Sequence, residues 1–553
     1  MQWYKKALGI LFCLILTWNT LAQVVYEPTY HTVYPYLSRL AQKGVIELDD
    51  VVLPLSKDYI YQKLDELSKN ITVLTPLERE ELAFYLKEYT LWWRKDPKSG
   101  FEGEYKSVFS SKIGDRFRWL AYQDDNFSVN AQPIIGYEAN GNNFKSKSSY
   151  GAWIYGYIGK HVGFSFDYRG GTYGGMSENP QTVLNPNQGF QFQKYIPGYT
   201  KDFTYNYMNT QITGSWKWGS FSFSKAPLSF GYGSGGKLIL SEKAPTYPHI
   251  RLDIKPTRWA SFSFVHAWLN SDVVDSTSFY STSIPGSQYL QYSYRNKYLA
   301  THILTLKPSK KIAYSIGESV IYNDKLQPTY FLPLAFFTAL DHYNGGLKNN
   351  SIANTQIFTQ ISARNVVPKT HLYFTFFIDE MRMKDVFSSD STKNHTAYTA
   401  GISVADFPIK NTSFVIEYTR IRPFVYESYV DAQTYMNDRY ALGHWIGSNA
   451  DQLYLEFLWR IKRGLHFKTT YSYVRKGDKG TPEQQRSALG LHLLDGRFIQ
   501  ERGDFSMELN YEIIHDLFVK LSYYSVTQKY FEFKELYNTK NLNTINIGLN
   551  YGF

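Results

Sequence analysis

The chain has 553 residues, with 48 Tyr, 37 Phe and 12 Trp, and a formal net charge of +10. Its mean hydropathy is -0.37, and after the first residues no stretch approaches the ~18 consecutive apolar residues of a membrane-spanning helix. The modest positive charge, without a basic run interleaved with aromatics, argues against nucleic acid as a partner. It is compatible with anionic lipopolysaccharide, with acidic polysaccharide or with ordinary surface charge.

The N-terminus predicts a secretory signal peptide over residues 1–22. Lys5 and Lys6 precede an apolar run, and Thr20-Leu21-Ala22 supplies a small-residue cleavage site. The only cysteine, Cys13, lies inside this segment. We therefore expect neither a lipid anchor nor a disulfide in the mature chain.

Residues 23–98 predict a small α-helical periplasmic domain or plug. Thr75-Pro76-Leu77-Glu78 is a capping box with proline at the first helical position. Ser56 is expected to cap a second helix, Lys57 to Ser68, and a shorter helical element is predicted over Tyr36 to Ala41. Nothing in this segment indicates catalysis.

Residues 99–553 predict the antiparallel strands of an all-β transmembrane β-barrel. Aromatic and apolar residues alternate with polar ones, and a hairpin is expected around Lys462-Arg463-Gly464. Such short turns alternate with long polar segments, which are Gly170 to Asp202, Leu269 to Asn296 and Asp385 to His395. This asymmetry is typical of short periplasmic turns and long extracellular loops.

The last ten residues carry the most informative pattern. Polar or small residues fill one parity, and apolar or aromatic residues fill the other, namely Ile545, Ile547, Leu549, Tyr551 and Phe553. Such a strand, ending on an aromatic carboxyl terminus, is typical of the closing strand of an outer-membrane barrel. At ~25 residues per tilted strand with its connection, the chain has room for about 16–18 strands. A secreted all-β sandwich or carbohydrate-binding protein is the alternative.

Several chemistries lack a local signature. Gly231-Tyr-Gly-Ser-Gly-Gly236 has the glycines of a phosphate loop, but no Lys-Ser/Thr pair or helix follows, so a tight turn or an inward-folded barrel loop is expected. The closest two of the twelve histidines, His249 and His266, are too far apart for a local ligand pair. We expect no cofactor, no metal site and no catalytic residues. A barrel enzyme acting on lipid or glycan is the alternative.

Two strand carboxylates have defined expected positions. Glu417 takes the parity opposite that of Ile416 and Tyr418, which points it toward the lumen. Glu318 shares the parity of Ile316, so a β-bulge or a position beyond the lipid belt is expected there.

The stretch Phe223 to Leu252 resembles the central motif of the Wzi-like capsule assembly family of outer-membrane barrels. A glycine-rich loop leads into a Ser/Gly-x-Leu-x-Leu-Ser strand, a short Ala-x-Pro turn and a Pro-x-Ile segment. The matching residues, to which the resemblance gives a structural role, are Gly233, Gly236, Leu238, Leu240, Ser241, Ala244, Pro245 and Pro248. The tryptophan and proline common in that glycine loop are replaced here between Phe230 and Ser234.

Further segments extend the resemblance over most of the chain. Tyr36 to Ile46 is similar to the family's periplasmic helical segment. Other motifs resemble a branch grouped with RemB-type gliding-motility surface proteins; they are Gly317 to Tyr322 with Glu318, Gln327 to Pro333, Tyr418 to Phe424, and Leu442 to Asp451.

The resemblance implies a closed or plugged outer-membrane barrel, of 18 strands in the family's reference member, that acts as a lectin for capsular polysaccharide. It implies a Gram-negative outer membrane, with the N-terminal segment in the periplasm and the loops outside. The implied partners are surface polysaccharide or capsule, outer-membrane lipid and lipopolysaccharide, the barrel assembly machinery, and surface proteins. Because aromatic rings on loops stack on sugars, Tyr173, Tyr280 and Tyr289 are candidate polysaccharide-binding residues. A gliding-motility or adhesion component and a porin or lipophile channel stay open as alternative functions.

Overall fold

The computed structural model describes most of the chain after the predicted signal peptide. The described ranges are residues 24–90, 105–124, 126–141, 146–159, 161–174, 184, 186–189, 192–194, 202–284, 287–345, 353–380, 394–486 and 491–552. The predicted signal peptide and Phe553 lie outside these ranges. Among the described residues, no helix is both long enough and apolar enough to span a bilayer.

Eighteen antiparallel strands of the described chain form a closed barrel. In chain order they are β1 Phe127–Asn140, β2 Ser146–Ile158, β3 Val162–Gly174, β4 Phe203–Trp216, β5 Gly219–Lys225, β6 Pro248–Ile254, β7 Ala260–Val274, β8 Tyr294–Ser309, β9 Ile312–Asn323, β10 Asn354–Arg364, β11 Thr370–Glu380, β12 His395–Ala405, β13 Thr412–Ile421, β14 Ala450–Lys462, β15 Leu465–Lys476, β16 Phe498–Glu512, β17 Leu517–Glu532 and β18 Glu535–Tyr551. Each strand pairs with its predecessor, and β18 pairs with β1, for example Leu549 with Tyr137. The predicted barrel is confirmed.

Connections at the two ends of the barrel differ in length, as the sequence predicts. We call the end with the tight turns, such as Arg463-Gly464 between β14 and β15, the short-turn end, and the opposite one the long-loop end. The strands reach further into the long-loop end than expected. The strand β3 continues to Gly174, and β7 continues to Val274, within segments that the sequence assigned to loops.

Short strands complete the β-structure of the described residues. They are Val52–Leu53, Tyr105–Ser110, Arg118–Gln123, Phe192–Lys194, Ser229–Phe230, Tyr280–Ile284, Ser287–Gln291, Met436–Asn437 and Tyr440–Ala441. The Arg118–Gln123 strand pairs with the first half of β1. The residue before this short strand also contacts the closing strand β18, because the Tyr551 hydroxyl donates a hydrogen bond to the carbonyl of Phe117 (2.5 Å).

Three helices form the N-terminal segment: α1 Val33–Gln42, α2 Lys57–Lys69 and α3 Pro76–Tyr89. The predicted caps are present. The Thr75 hydroxyl accepts from the Glu78 N–H (3.3 Å), and the Glu78 carboxylate accepts from the Thr75 N–H (3.0 Å). The Ser56 hydroxyl caps α2 by accepting from the Tyr59 N–H (3.1 Å). Two further helices lie in barrel connections, α4 Phe337–Gly345 and α5 Pro482–Arg486.

The N-terminal segment closes the short-turn end of the barrel through buried charge. Arg39 in α1 pairs with Asp406 in the turn between β12 and β13. Glu88 in α3 is fully buried and pairs with Arg118 (2.6 Å) and Arg116 (3.4 Å). Burial alone would raise the pKa of the Glu88 carboxyl, but the two arginines outweigh it and hold this pKa at about 2.

Two long connections fold into the lumen and fill its middle. The inner loop, residues 226–247, offers the N–H groups of Ser234 and Gly235 to the Glu417 carboxylate (2.8 and 2.9 Å). The second inner connection, residues 422–449, packs against it, and the Tyr426 hydroxyl donates to the Leu238 carbonyl (2.5 Å). Glu417 therefore faces the lumen, and the glycine-rich stretch is an inward-folded loop, as the sequence predicts.

The inner loop is also joined to the N-terminal segment. Its strand Ser229–Phe230 pairs with Val52–Leu53, and the Gly231 N–H donates to the Val51 carbonyl (2.8 Å). Glycine is required at Gly233, because a Cβ there would lie 1.9 Å from the Gly236 carbonyl oxygen. The helical segment, the inner loop and the barrel wall therefore form one connected interior.

A segment of the β9–β10 connection folds back over the outside of the barrel. This outer flap, residues 326–345, consists of a 3₁₀ turn, Pro328–Phe331, and helix α4. It covers Glu318, and the expectation of a β-bulge at this residue is wrong. The pairing of β9 with both neighbours runs without a register shift through Glu318, which takes the outward parity and accepts from the Phe337 N–H (2.9 Å).

Candidate functional site

The barrel wall is low at one place on the long-loop end. The strands β5 and β6 have 7 residues each, whereas their neighbours β4 and β7 have 14 and 15. The uppermost wall pairs here are Thr210 with Lys225 and His249 with Ala267. Residues 203–209 and 268–274 therefore rise above the two short strands and flank a notch, which we call the wall notch.

The wall notch holds a cavity of about 400 Å³, which we call the rim cavity. Six separate segments of the chain contribute to its lining. The lining residues are Gln188, Gly189, Asn206, Tyr207, Met208, Lys225, Pro245, Thr246, Tyr247, Pro248, Trp268, Asn270 and Asn437. The lining is dominated by amides and aromatic rings, with one lysine and no carboxylate.

Hydrogen bonds hold the wall of the rim cavity in place. The Asn437 side chain accepts from the Asn270 N–H (2.9 Å) and donates to the Pro245 carbonyl (2.9 Å). The Lys225 ammonium donates to the Met208 carbonyl (2.9 Å) and to the Thr246 hydroxyl (3.1 Å). The second inner connection and the inner loop are thereby fixed to the ends of the short strands.

One buried polar group of the rim cavity has no partner in the described chain. The Tyr247 side chain is 6% exposed, and its hydroxyl makes no hydrogen bond there. Burial raises the pKa of this hydroxyl well above its usual value, so it stays protonated and able to donate. A buried hydroxyl without a partner costs free energy.

The rim cavity suits an uncharged, hydroxyl-rich ligand. Side-chain amides such as those of Asn206 and Asn270 both donate and accept, as sugar hydroxyls do. Tyr207 and Trp268 supply aromatic rings, which have apolar faces and polar edges. Across the described ranges, no group of three or more His, Cys, Asp or Glu side chains is arranged to hold a metal ion.

The comparisons with known proteins identify the family. The model of the family "Capsule assembly protein Wzi" matches residues 98–542. The chain belongs to the Wzi capsule assembly family.

The solved structure of a Wzi protein has the same fold as this chain. Wzi of Escherichia coli, reported as an outer-membrane protein involved in group 1 capsule assembly and a carbohydrate-binding β-barrel, matches with a TM-score of 0.56 at 11% identity; the match covers 96% of this chain and 100% of that one. OccAB2 of Acinetobacter baumannii matches with a TM-score of 0.42 at 11% identity, covering 77% of this chain and 98% of that one. No curated protein matches this chain.

The Wzi motif residues of the inner loop lie at its contacts. Leu238 and Leu240 are fully buried in the core that fills the lumen. The Ser241 hydroxyl donates to the Gly443 carbonyl (2.5 Å), and Pro248 begins β6. Asp451 on β14 pairs with Arg475 (2.5 Å). The structural role that the resemblance implied for these residues stays a prediction.

The three predicted polysaccharide-binding tyrosines lie outside the rim cavity and are not brought together with it. Tyr173 is near the end of β3 instead of on a loop, and its ring lies 5.4 Å from that of Tyr205. Tyr280 and Tyr289 lie on the two strands of the small hairpin between β7 and β8. The Tyr280 side chain is 63% exposed.

Apart from Pro245 and Pro248, which the family motif named as structural residues, sequence reasoning missed the residues of the rim cavity. Its lining comes from β4 to β7, both inner connections and the segment around Gln188, and no local motif joins all of these. The available signal was the stretch Trp268-Leu-Asn270, but it stood at the start of a segment that the sequence assigned to a loop.

Proposed function

We propose that this protein binds and organises capsular or other extracellular polysaccharide at the cell surface, and that it does so without catalysis. Membership of the Wzi capsule assembly family supports this proposal. The carbohydrate binding reported for the E. coli protein of the same fold supports it as well. The observation that carries it is the rim cavity, where amides, aromatic rings and an unpartnered buried hydroxyl meet.

The proposed orientation places the short-turn end in the periplasm and the long-loop end outside a Gram-negative outer membrane. Long loops on the outer side and short turns on the inner side are usual for such barrels. In this orientation the helical segment faces the periplasm, and the rim cavity faces the cell exterior. Lipid and lipopolysaccharide would surround the wall, and the barrel assembly machinery would insert it.

The filled lumen favours a binding function over the channel alternative. The helical segment covers one mouth, and the two inner connections occupy the middle with a core that includes Phe230, Leu240 and Trp445. Polysaccharide would therefore be held at the rim and would not pass through the barrel. A gliding-motility or adhesion role, suggested by the likeness to RemB-type proteins, stays a prediction, because adhesion would use the same exposed loops.

The test is binding of the purified, detergent-solubilised barrel to the host's own surface polysaccharides. Tyr247→Phe removes only the unpartnered hydroxyl, so it should stabilise the free protein slightly. If the hydroxyl serves the ligand, the same change should weaken binding several-fold. Lys310→Ala is the matched control, because this exposed side chain lies in the turn between β8 and β9 at the short-turn end.

Either result decides the role of the rim cavity. Saturable binding that Tyr247→Phe weakens and Lys310→Ala leaves unchanged would establish the proposed site. Binding unchanged by Tyr247→Phe but weakened by Tyr280→Ala would move the site to the small hairpin between β7 and β8. The absence of binding to any surface glycan would overturn the proposed function.

A further inference from the structure

Three polar residues lie on the outward face of the barrel wall beneath the outer flap. They are His266 on β7, His302 on β8 and Glu318 on β9. His302 and Glu318 are ladder partners of each other, and the other ladder neighbours of the three residues on this face are apolar. His266 lies between Ile250 and Ala300, His302 is opposite Phe264, and Glu318 is opposite Ile357.

Direct contact between these three polar side chains and lipid acyl chains would cost free energy. Ionisable residues within a bilayer are rare, and they are found where protein or water covers them. Here the protein provides the cover. Tyr330 and Phe337 of the outer flap are fully buried against the wall, and Phe264 and Tyr322 of the wall are covered in turn.

The outer flap contacts each of these polar residues, and it satisfies the Glu318 carboxylate with hydrogen bonds. The N–H groups of Phe337 and Thr338, at the start of α4, donate to the Glu318 carboxylate, which thus caps this helix from the wall. The His266 ring stacks on Phe331 at 4.0 Å, and its Nε2 lies 2.7 Å from the Tyr322 hydroxyl oxygen. The His302 ring packs against Phe337 at 4.7 Å.

The opposite side of the outer flap is apolar and exposed. Leu334 is 84% exposed, and the side chains of Leu332 and Phe336 are each more than half exposed. Lower on the same wall, Tyr314 and Ile316 continue this apolar surface. Exposed apolar patches on such a scale mark contact with a membrane or a partner. The continuity with the outward face of the barrel favours lipid.

We propose that the outer flap is a re-entrant element seated in the outer leaflet, with Leu332, Leu334 and Phe336 against acyl chains. Backbone groups at membrane depth must be satisfied by protein. Glu318 accepts hydrogen bonds from the first N–H groups of α4 and thus satisfies the backbone of the flap where this helix begins. This inference does not depend on the polysaccharide proposal, because it concerns the wall between β7 and β9 and the lipid beside it.

Single-cysteine labelling tests the proposal directly, because Cys13 is the only cysteine of the chain. A Cys13→Ser background would carry one nitrobenzoxadiazole label at Leu334→Cys, in phosphatidylcholine vesicles with and without doxyl-labelled lipid. Ile547→Cys is the lipid-facing reference, since this outward side chain of β18 is 62% exposed. Tyr280→Cys, on the small hairpin, is the water-facing reference.

The expected result is that doxyl lipid removes most of the emission at Leu334→Cys, as at Ile547→Cys, and that aqueous iodide has little effect there. A label at Leu334→Cys that is quenched by iodide and not by doxyl lipid, as expected for Tyr280→Cys, would overturn the proposal. Glu318→Leu should then raise the mobility of a spin label at position 334, whereas Glu318→Gln, which keeps an acceptor, should not. Equal mobility in both variants would overturn the capping role of Glu318.

Discussion

The short-turn end of this barrel is sealed by buried charge, whereas the long-loop end presents amides, aromatic rings and exposed ion pairs. At the first end, Glu88 with its arginines and Arg39 with Asp406 are buried between helix and barrel. At the second, the ion pair between Arg439 and Asp272 is largely exposed, and the rim cavity contains no carboxylate.

The difference between the two ends indicates what buried charged groups and neutral polar groups each contribute to the barrel. A buried charge is stable only beside a fixed partner, so a network of such pairs holds two surfaces in one arrangement. Amides and a neutral hydroxyl can exchange bound water for a ligand at a lower cost in free energy than charged groups can, because no isolated charge is left buried. The charged end therefore suits permanent closure, and the amide-rich end suits reversible binding.

Lowering the pH should have the largest effect on the contrast between the two ends, because it should destabilise the short-turn end. Burial alone would raise the pKa of the carboxyl groups of Glu27, Asp50, Glu78, Glu88 and Asp406, but neighbouring cations outweigh it and lower each of these pKa values. A lowered folded-state pKa gives stability that is complete above the ordinary value near 4.5 and is lost as pH falls toward 2.

We therefore expect the helical segment to detach as pH falls below about 4.5, before the barrel itself unfolds. Calorimetry from pH 7 to pH 2.5 should show a separate transition that moves to lower temperature with acid. Helices α1 to α3 should also become open to pepsin. A helical segment that stays protected at pH 2.5 would contradict the view that charge pairs seal this end.

The next largest effect should come from Glu88→Ala at pH 7. It leaves Arg118 buried without its carboxylate, while Arg116 keeps Asp516 (3.3 Å). Breaking a buried pair in this way costs about 3–5 kcal/mol. The measurement is the thermal transition of the helical segment. Glu66→Ala is the control, because that carboxylate lies at the surface of α2 in an ion pair with Lys63. Equal shifts for the two variants would show that burial does not set the energy.

At the opposite end, Asn270→Ala should change affinity and leave stability nearly unchanged. Its backbone N–H keeps the bond to Asn437, while the side-chain amide is lost from the rim cavity. We expect polysaccharide affinity to fall about tenfold, or about 1.4 kcal/mol. The measurement is titration calorimetry, with Lys310→Ala, in the turn between β8 and β9, as a control at the short-turn end. A loss of stability equal to the loss of affinity would make Asn270 a structural residue.

The smallest effect should come from Asp272→Asn, which removes the exposed pair with Arg439. Exposed pairs contribute about 0–1 kcal/mol, and asparagine tolerates the positive φ of 54° at this position. The unfolding temperature and the affinity should both stay close to those of the unchanged protein. A large loss of stability would mean that exposed and buried pairs contribute alike, which would remove the contrast between the two ends.

Much of the fold was predictable because its rules are local. Alternation with period two assigns each side chain to the lumen or to the outside, and it placed Glu417 correctly. Capping boxes depend on a few consecutive residues, so Thr75 and Glu78 were read correctly as a helix start. Strand ends were less predictable. Beyond the lipid belt neither face needs to be apolar, so the pattern fades before β3 and β7 actually end.

The rim cavity and the outer flap could not be predicted, since both depend on contacts between distant segments. Nothing near Tyr247 indicates that Asn206 or Asn437 will lie beside it. The unusual outward position of Glu318 was visible in the sequence. Its explanation was not, because the covering helix begins at Phe337 in a connection whose path the sequence does not specify.

The small sheet between Val52–Leu53 and Ser229–Phe230 has a consequence for biogenesis. The first strand is synthesised early, but its partner belongs to the inner loop between β5 and β6. The N-terminal segment therefore cannot reach its final seat until that part of the wall has formed around the inner loop. A barrel that is misassembled at β5 and β6 would therefore leave the helices of the N-terminal segment unseated and open to proteases.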